Sequence, residues 1–264
     1  MKFKNKTVWI TGASSGIGKA MALAFSNQGA HLILSARNEE KLNEVKKECR
    51  GSGKVEVLPL DLANYNYFEE KVNTAIAFFG GVDILINSGG ISQRALAKDT
   101  ELTVDRTIFE TNYFGTIGLT KALLPHFINK KSGQIVVISS VVGKIGTPLR
   151  SSYSGSKHAL HGFFDSLRAE LYDNNVSVTL ICPGFVNTNV SMNALKGDGS
   201  KQNKLDNATA KGLDPDDFAK IALNAIAQKR QEIVIAGFME KMAVYVKRFF
   251  PRLLSNVIRK VDVT

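Results

Sequence analysis

The stretch from Val8 to Phe25 restricts the architecture of this chain more than any other. Val8-Trp9-Ile10 is apolar and reads as a strand. Thr11-Gly12-Ala13-Ser14-Ser15-Gly16-Ile17-Gly18 reads as a glycine-rich turn, and Lys19-Ala20-Met21-Ala22-Leu23-Ala24-Phe25 as a helix. Strand, glycine turn and helix in that order form the context of a dinucleotide fingerprint. Gly12 permits the tight turn, Gly16 lets a cofactor come close, and Gly18 lets the helix pack against the sheet. The helix N-terminus, with Ser14, Ser15 and Ile17 around it, offers N–H groups and positive potential to a pyrophosphate. The spacing is Gly-x-x-x-Gly-x-Gly rather than the commoner Gly-x-Gly-x-x-Gly.

Short apolar runs then alternate with longer amphipathic segments. Strands are expected near Val8–Thr11, His31–Ser35, Val55–Pro59, Ile84–Asn87, Ile135–Ser139, Ser177–Cys182 and Glu232–Ala236, with helices between them. This alternation predicts an α/β fold, a parallel sheet of about seven strands covered on both faces. With 264 residues, 44% of them hydrophobic, and no repeat or linker, the chain reads as a single domain over residues 1–264. Asp214-Pro215-Asp216-Asp217 opens a helix with a cap and a proline, so its acids read as capping groups rather than catalysts. Residues 191–213 are polar and carry Gly197, Gly199 and Gly212. A connection this long is expected to be a flexible substrate loop, the alternative being a surface insertion.

Charge and cysteines limit the classes of function. The net charge of +10 suits nucleic acid, anionic lipid or an anionic cofactor. No nucleic-acid-binding motif accompanies it, and lysines such as Lys41, Lys46 and Lys47 lie on ordinary helix faces, so nucleic-acid binding is not expected. Cys49 and Cys182 make neither a disulfide framework nor a metal cluster. His31, His126, His158 and His161 form no ligand set, and no metal is expected. Residues 1–6 run into the first strand without an apolar leader, and no stretch approaches roughly 20 apolar residues. A cytoplasmic location is therefore expected.

Tyr153 and Lys157 stand four residues apart, on one face if their segment is helical. A phenol with a pKa of about 10 is a poor proton donor or acceptor at neutral pH, and a neighbouring ammonium pulls it toward the working range. Such pairs are common on solvated helix faces, and the rest of the sequence sets this one apart.

From Thr7 to about Gly237 the chain resembles the short-chain dehydrogenase/reductase family. The residues carrying the likeness are Thr11 to Gly18, Asp61-Leu62, Asn87-Ser88-Gly89-Gly90, Asn112, Ser139-Ser140, Tyr153 with Lys157, and Pro183-Gly184-Phe185-Val186-Asn187-Thr188. One departure is Asn-Ser-Gly-Gly where the family commonly has Asn-Asn-Ala-Gly; Asn87 and the final glycine remain. The resemblance implies a Rossmann-type doubly wound sheet and an oxidoreductase acting on a carbonyl or secondary alcohol. Ser140, thirteen positions before Tyr153, would hold the substrate oxygen, in preference to Ser139. Tyr153 would pass the proton, Lys157 would lower the phenol pKa and bind the nicotinamide ribose, and Asn112 would hold a water linking Lys157 to solvent. Asp61 and Leu62 match adenine contacts, and Asn87 and Gly89 lie under the cofactor. Pro183 and Gly184 turn toward the nicotinamide, and Val186 and Thr188 match the holders of its carboxamide. After the second strand Ala36-Arg37 stand where an NAD enzyme usually has an acid, so Arg37 is expected to meet the 2′-phosphate of NADP(H). The family analogy also implies a homodimer or homotetramer built through the helices holding Asn112 and Tyr153.

Residues 239–264 are less typical of that family. Met239, Met242, Ala243, Val246, Phe249 and Phe250 follow helical spacing, and Leu253, Leu254, Val257, Ile258 and Val261 continue it beyond Pro251. Lys241, Lys247, Arg248, Arg252, Arg259 and Lys260 supply charge. Such a basic amphipathic segment either lies peripherally on a membrane surface or packs over the substrate cleft or a partner subunit. An apolar tail beside the cleft points to a lipophilic substrate. The competing reading of the whole chain is a non-catalytic nucleotide-binding regulator or scaffold, against which the intact Ser140, Tyr153 and Lys157 set argues.

Overall fold

The computed structural model describes residues 2–259, so Met1, Lys260 and Val261 of the sequence reading lie outside the described residues. The strands are β1 (Thr7–Thr11), β2 (His31–Ser35), β3 (Val55–Val57), β4 (Ile84–Asn87), β5 (Gly133–Ile138), β6 (Val176–Pro183) and β7 (Glu232–Ile235). They form one parallel sheet in the order β3-β2-β1-β4-β5-β6-β7. The helices are α1 (Gly16–Asn27), α2 (Glu39–Glu48), α3 (Phe68–Phe79), α4 (Leu102–Phe109), α5 (Gly115–Lys130), α6 (Ser151–Glu170), α7 (Asn207–Ala210), α8 (Pro215–Ala227), α9 (Phe238–Phe249) and α10 (Pro251–Ile258). All seven expected strands form, with ends shifted by a few residues. β3 stops short of Pro59, which has no N–H to offer a ladder at this sheet edge.

Side chains alternate between the two faces of the sheet. Val8, Ile10, Leu32, Leu34, Ile84, Ile86, Val136 and Ile138 pack with Met21, Phe25 and Phe218 on one face. Trp9, Ile33, Leu85, Ile135 and Val137 pack with Phe68, Leu123 and Phe164 on the other. Both faces are dry, which is why the strands read as continuous apolar runs rather than as alternating ones. Trp9 still satisfies its indole, donating from Nε1 to Ser35 Oγ at 2.8 Å.

The chain runs from β1 outward to β3 and then crosses back, so β1 lies between β2 and β4. The order reverses there, and the carboxyl ends of β1 and β4 flank a crevice of the kind in which such sheets bind ligands. Between β4 and β5, where the sequence placed a helix, a π-helical turn at Glu110–Phe114 separates α4 from α5. Asn112 lies in that turn. A Cβ on Gly115, just after it, would sit 2.2 Å from the carbonyl oxygen of Leu62, so the helix lies directly against the loop after β3. Among the described residues no helix is long and apolar enough to cross a membrane.

Candidate active site

The glycine turn closes against the end of β4. Gly12 has φ +66° and Gly16 φ +52°, backbone that disfavours a side chain. A Cβ on Gly12 would meet the Gly89 backbone at 2.8 Å, and one on Gly18 would meet the carbonyl oxygen of Gly12 at 2.2 Å. Thr11 ties the two loops together, its Oγ1 accepting the N–H groups of Ser88 and Gly89, both at 3.1 Å. Ser15 caps α1 without a side-chain hydrogen bond, and no acid stands in the first turn. Ser14, Gly16 and Ile17 are half-buried around this N-terminus, and the methyl of Thr188 lies 3.1 Å from where Gly16 would carry a Cβ. The result is a cradle with bare backbone, the shape a pyrophosphate requires.

The other expected cofactor residues border the same crevice. Arg37 is exposed immediately after β2. Leu62 is buried, with its side chain within 2.5 Å of where Gly89 would carry a Cβ, and Asp61 Oδ1 accepts the N–H of Ala63 at 3.0 Å. Asn87 is buried and donates to Thr120 Oγ1 at 3.1 Å, while its Oδ1 has no hydrogen-bond partner among the described residues. Pro183 ends β6, and Gly184 and Val186 follow it, the latter buried.

Ser140 follows β5 and Tyr153 opens α6, and both face one cleft. Ser140 Oγ accepts the N–H of Val142 at 3.3 Å, so it also caps a short turn. Ser139 points the other way: its Oγ lies 3.0 Å from His161 Nε2, and it is buried. Burial pushes the Tyr153 phenol up, while a hydrogen bond with Ser140 and the charges of Arg150 and Arg94 pull it down. The sequence assigned that pull to Lys157. Here the Lys157 ammonium lies 5.9 Å from the Tyr153 ring centroid and donates to the carbonyl of Ile138 at 2.9 Å. Burial lowers its pKa to about 8. Asn112 joins three elements, exchanging hydrogen bonds with the Ile91 backbone at 2.8 and 2.9 Å and donating to Ser156 Oγ at 3.1 Å. Asn112 Oδ1 and Lys157 Nζ both flank Gly90, at 3.0 and 3.6 Å from where it would carry a Cβ.

The cleft has a volume of about 420 Å³, and its walls are mostly apolar. Val141, Val142 and Ile145 form one side, and Met242, Val246 and Leu254 of the C-terminal helices form another. The tail therefore packs over the cleft, one of the three placements its spacing allowed. Glu240 anchors it: Oε1 accepts the N–H of Phe185 at 2.8 Å and Oε2 that of Gly237 at 2.6 Å. A Cβ on Gly184 would meet that carboxylate at 2.3 Å. Nothing in the local sequence marks Glu240 as a brace for the turn after β6.

A buried charge cluster was also missed. Arg94 donates to Asp206 Oδ2 from Nε at 2.8 Å and Nη2 at 2.6 Å, and Arg150 Nη2 stands 3.6 Å from the same oxygen. All three side chains are at most 5% exposed. Burial lowers the Arg150 pKa to about 10, and its guanidinium lies over the Phe185 ring at 5.5 Å. Residues 191–213 are tied to the body through this cluster and through bridges of Leu195 with Gln93 and Leu213 with Val186, and are braced internally by Ser191 Oγ accepting the Asp206 N–H at 3.1 Å and by a bridge of Leu195 with Lys201. His161, which the sequence placed in no ligand set, has a cysteine and an acid beside it: Cys182 Sγ at 3.7 Å from Nε2 and Glu232 at 3.5 Å from Nδ1. These partners stand against opposite ring nitrogens, and burial raises the Cys182 thiol to about 12, which suits a packed polar cluster.

A glycine turn at the switch point of an open parallel sheet, with a serine and a tyrosine on the adjoining cleft and a lysine buried nearby, is the arrangement of the dinucleotide-binding oxidoreductase class. The short chain dehydrogenase family matches residues 6–199, and the chain belongs to that family. Dehydrogenase/reductase SDR family protein 7-like of Drosophila melanogaster is 43% identical over 268 residues, covering 98% of this chain and 82% of that protein. Dehydrogenase/reductase SDR family member 7B of Mus musculus is 42% identical over 260 residues, covering 97% and 80%. A short chain dehydrogenase/reductase from Burkholderia phymatum, solved in complex with NAD, shares the fold with a TM-score of 0.84 at 23% identity, over 96% of both chains. A short-chain dehydrogenase from Streptomyces avermitilis superposes with a TM-score of 0.81 at 26% identity, over 98% of this chain and all of that one.

Proposed function

We infer that the protein is an NADP(H)-dependent oxidoreductase that interconverts a carbonyl and a secondary alcohol on a lipophilic small molecule. The observation that carries this reading is the shared cleft: Ser140 and Tyr153 line one cavity, with Arg94, Arg150 and Glu240 among its polar residues and walls that are otherwise mostly apolar. Nicotinamide, when bound, supplies or accepts the hydride. Every other task falls to the chain. Ser140 holds the substrate oxygen, and Tyr153 gives that oxygen a proton or takes it back. Lys157, already drawn down to about 8 by burial, holds the ribose, while Arg150 and Arg94 supply the positive potential that draws the phenol down. Asn112 holds a water that links Lys157 to solvent. The apolar walls exclude bulk water from the reacting oxygen.

The cradle fits the cofactor's other parts. Gly12, Ser14, Ser15, Gly16, Ile17 and Gly18 present bare backbone to the pyrophosphate. Asp61 and Leu62 border the adenine, Asn87 and Gly89 lie below, and Pro183, Gly184, Val186 and Thr188 hold the carboxamide side. Arg37 selects the 2′-phosphate with a planar charged fork, and Ala36 leaves no carboxylate to repel it. The working unit in this reading is a homodimer or homotetramer joined through α5 and α6.

The test is cofactor titration together with a carbonyl panel. A charged hydrogen bond contributes roughly 1.5–3 kcal/mol, or about one to two decades of affinity. NADPH should bind tighter than NADH by that factor, and Arg37→Ala should erase the difference while leaving NADH binding nearly unchanged. Equal affinities in the unmodified protein would refute the NADP(H) assignment. Absence of NADPH consumption across ketones, aldehydes, steroids and acyl carbonyls would refute the enzymatic one.

A further inference from the structure

We propose that the outer face of α9 and α10 docks on an anionic lipid bilayer, with the mouth of the cleft opening toward the lipid. The inner face of these helices is already used: Ala243, Val246, Leu254 and Ile258 pack on Val141, Ile145, Val234 and Ala236. The outer face is nevertheless apolar. Phe238 is 75% exposed, Tyr245 62%, Phe249 69% and Phe250 64%. Large exposed side chains gathered on one short segment mark an interaction surface.

Charge decides among the partners. From Phe238 to Arg259 the basic residues are Lys241, Lys247, Arg248, Arg252 and Arg259, all exposed, and the acid is Glu240. Glu240 turns inward to the N–H groups of Phe185 and Gly237, so the outer face is one-signed. A second copy meeting this face about a two-fold axis would bring the same cations against one another. An anionic bilayer instead receives both components, the cations at the headgroups and the aromatic side chains at the acyl boundary.

Met239, Met242, Leu253 and Val257 are exposed and also line the cleft. The cleft lining and the docking face therefore share these four apolar side chains. An apolar substrate can then pass from the bilayer to Tyr153 without entering water; this last consequence rests on the proposed function, whereas the docking does not.

The experiment is flotation of the full chain with vesicles of phosphatidylcholine alone or mixed with phosphatidylserine, at low and high salt. Two variants are compared, Lys247→Glu/Arg248→Glu and Phe249→Ser/Phe250→Ser; none of these residues lines the cleft, and thermal melts check that both fold. The unmodified chain should float with the anionic vesicles at low salt and be released by high salt. Each basic residue near such a surface contributes about 1 kcal/mol, so the charge variant should lose on the order of thirtyfold or more in partitioning. The aromatic variant should also lose binding. Failure of the unmodified chain to float at low salt overturns the proposal. So does full binding by the aromatic variant, which would point to a purely ionic contact such as an acidic protein. A dimer that both variants turn into monomers in analytical ultracentrifugation also overturns it, since the face would then join two copies. Oxidation of NADPH with a water-soluble ketone, measured on the same samples, should be unchanged in both variants. Vesicle binding without turnover of any carbonyl would leave the docking intact and sink the proposed function alone.

Discussion

Gln93 Oε1 accepts the backbone N–H of Ser152 at 2.9 Å, so a residue from the loop after β4 caps the helix that carries Tyr153 and Lys157. Arg150, at the N-cap position of α6, makes no side-chain cap of its own. Gln93 is fully buried and its amide nitrogen donates to Thr100 Oγ1 at 3.0 Å, so the amide is held at both ends. The placement of the phenol is therefore set partly from about sixty residues upstream.

Replacing Gln93 with leucine should leave the first N–H groups of α6 without their acceptor. Loss of a cap costs about 0.5–2 kcal/mol, and here turnover should fall with it, because Tyr153 is the third residue of the helix. Urea unfolding measures the first effect and NADPH oxidation the second. An unchanged unfolding midpoint would show that the contact contributes nothing.

The Arg94–Asp206 pair should be costly to break from either side, and Asp206→Leu should be worse than Arg94→Met. Removing the acid leaves both Arg94 and Arg150 buried without it, whereas removing Arg94 leaves Asp206 with Arg150 at 3.6 Å. Breaking a buried pair typically costs about 3–5 kcal/mol. Arg94 also pulls the Tyr153 pKa down, so Arg94→Met should move the phenol's limb of the pH–rate profile to higher pH. A reversed stability ranking, or an unmoved limb where proton transfer limits the rate, would overturn this account.

Tyr153→Phe should cut turnover by about 10²–10⁴-fold with cofactor binding nearly intact, the usual loss for a positioned general acid. Ser140→Ala should lose rate. Ser139→Ala should instead lose stability, on the order of 1–3 kcal/mol, because it strips the buried ring nitrogen of His161 of its hydroxyl partner. Steady-state kinetics beside thermal melts separates the two serines, and the opposite ranking would assign the substrate oxygen to Ser139.

Lys157 gives the cofactor-free protein a definite pH dependence. Its pKa falls from 10.5 to about 8 on folding, so between those values the unfolded chain binds more protons. Stability should then rise with pH across that window and be lost as pH falls through 8. Between pH 7 and 9 the unmodified protein should gain on the order of 1 kcal/mol relative to Lys157→Met. The Cys182 thiol, raised to about 12, acts in the opposite sense above pH 9, where the unfolded thiol ionises and the folded one does not. Parallel stability curves for the two proteins over pH 7–9 would show that the ammonium is not desolvated as the geometry implies.

The amino-acid sequence by itself determined the local pieces: the strands, the glycine turn and the order in which they recur. Those signals lie within a few residues of where they act. An apolar run long enough for a strand declares itself, and glycines at φ +66° and +52° announce a turn that few other residues tolerate. The tertiary structure alone decided what closes the site. Gln93 reaches Ser152, Arg94 reaches Asp206, and Glu240 braces Phe185, across 59, 112 and 55 positions. The π-helical turn at Asn112 arises where α5 meets the loop carrying Leu62, and the two faces of the tail were separated only when α9 and α10 settled over the cleft. A hydrogen bond or ion pair between distant residues depends on where the sheet order brings their backbones. A lone glutamine, arginine or glutamate carries no local mark of its partner.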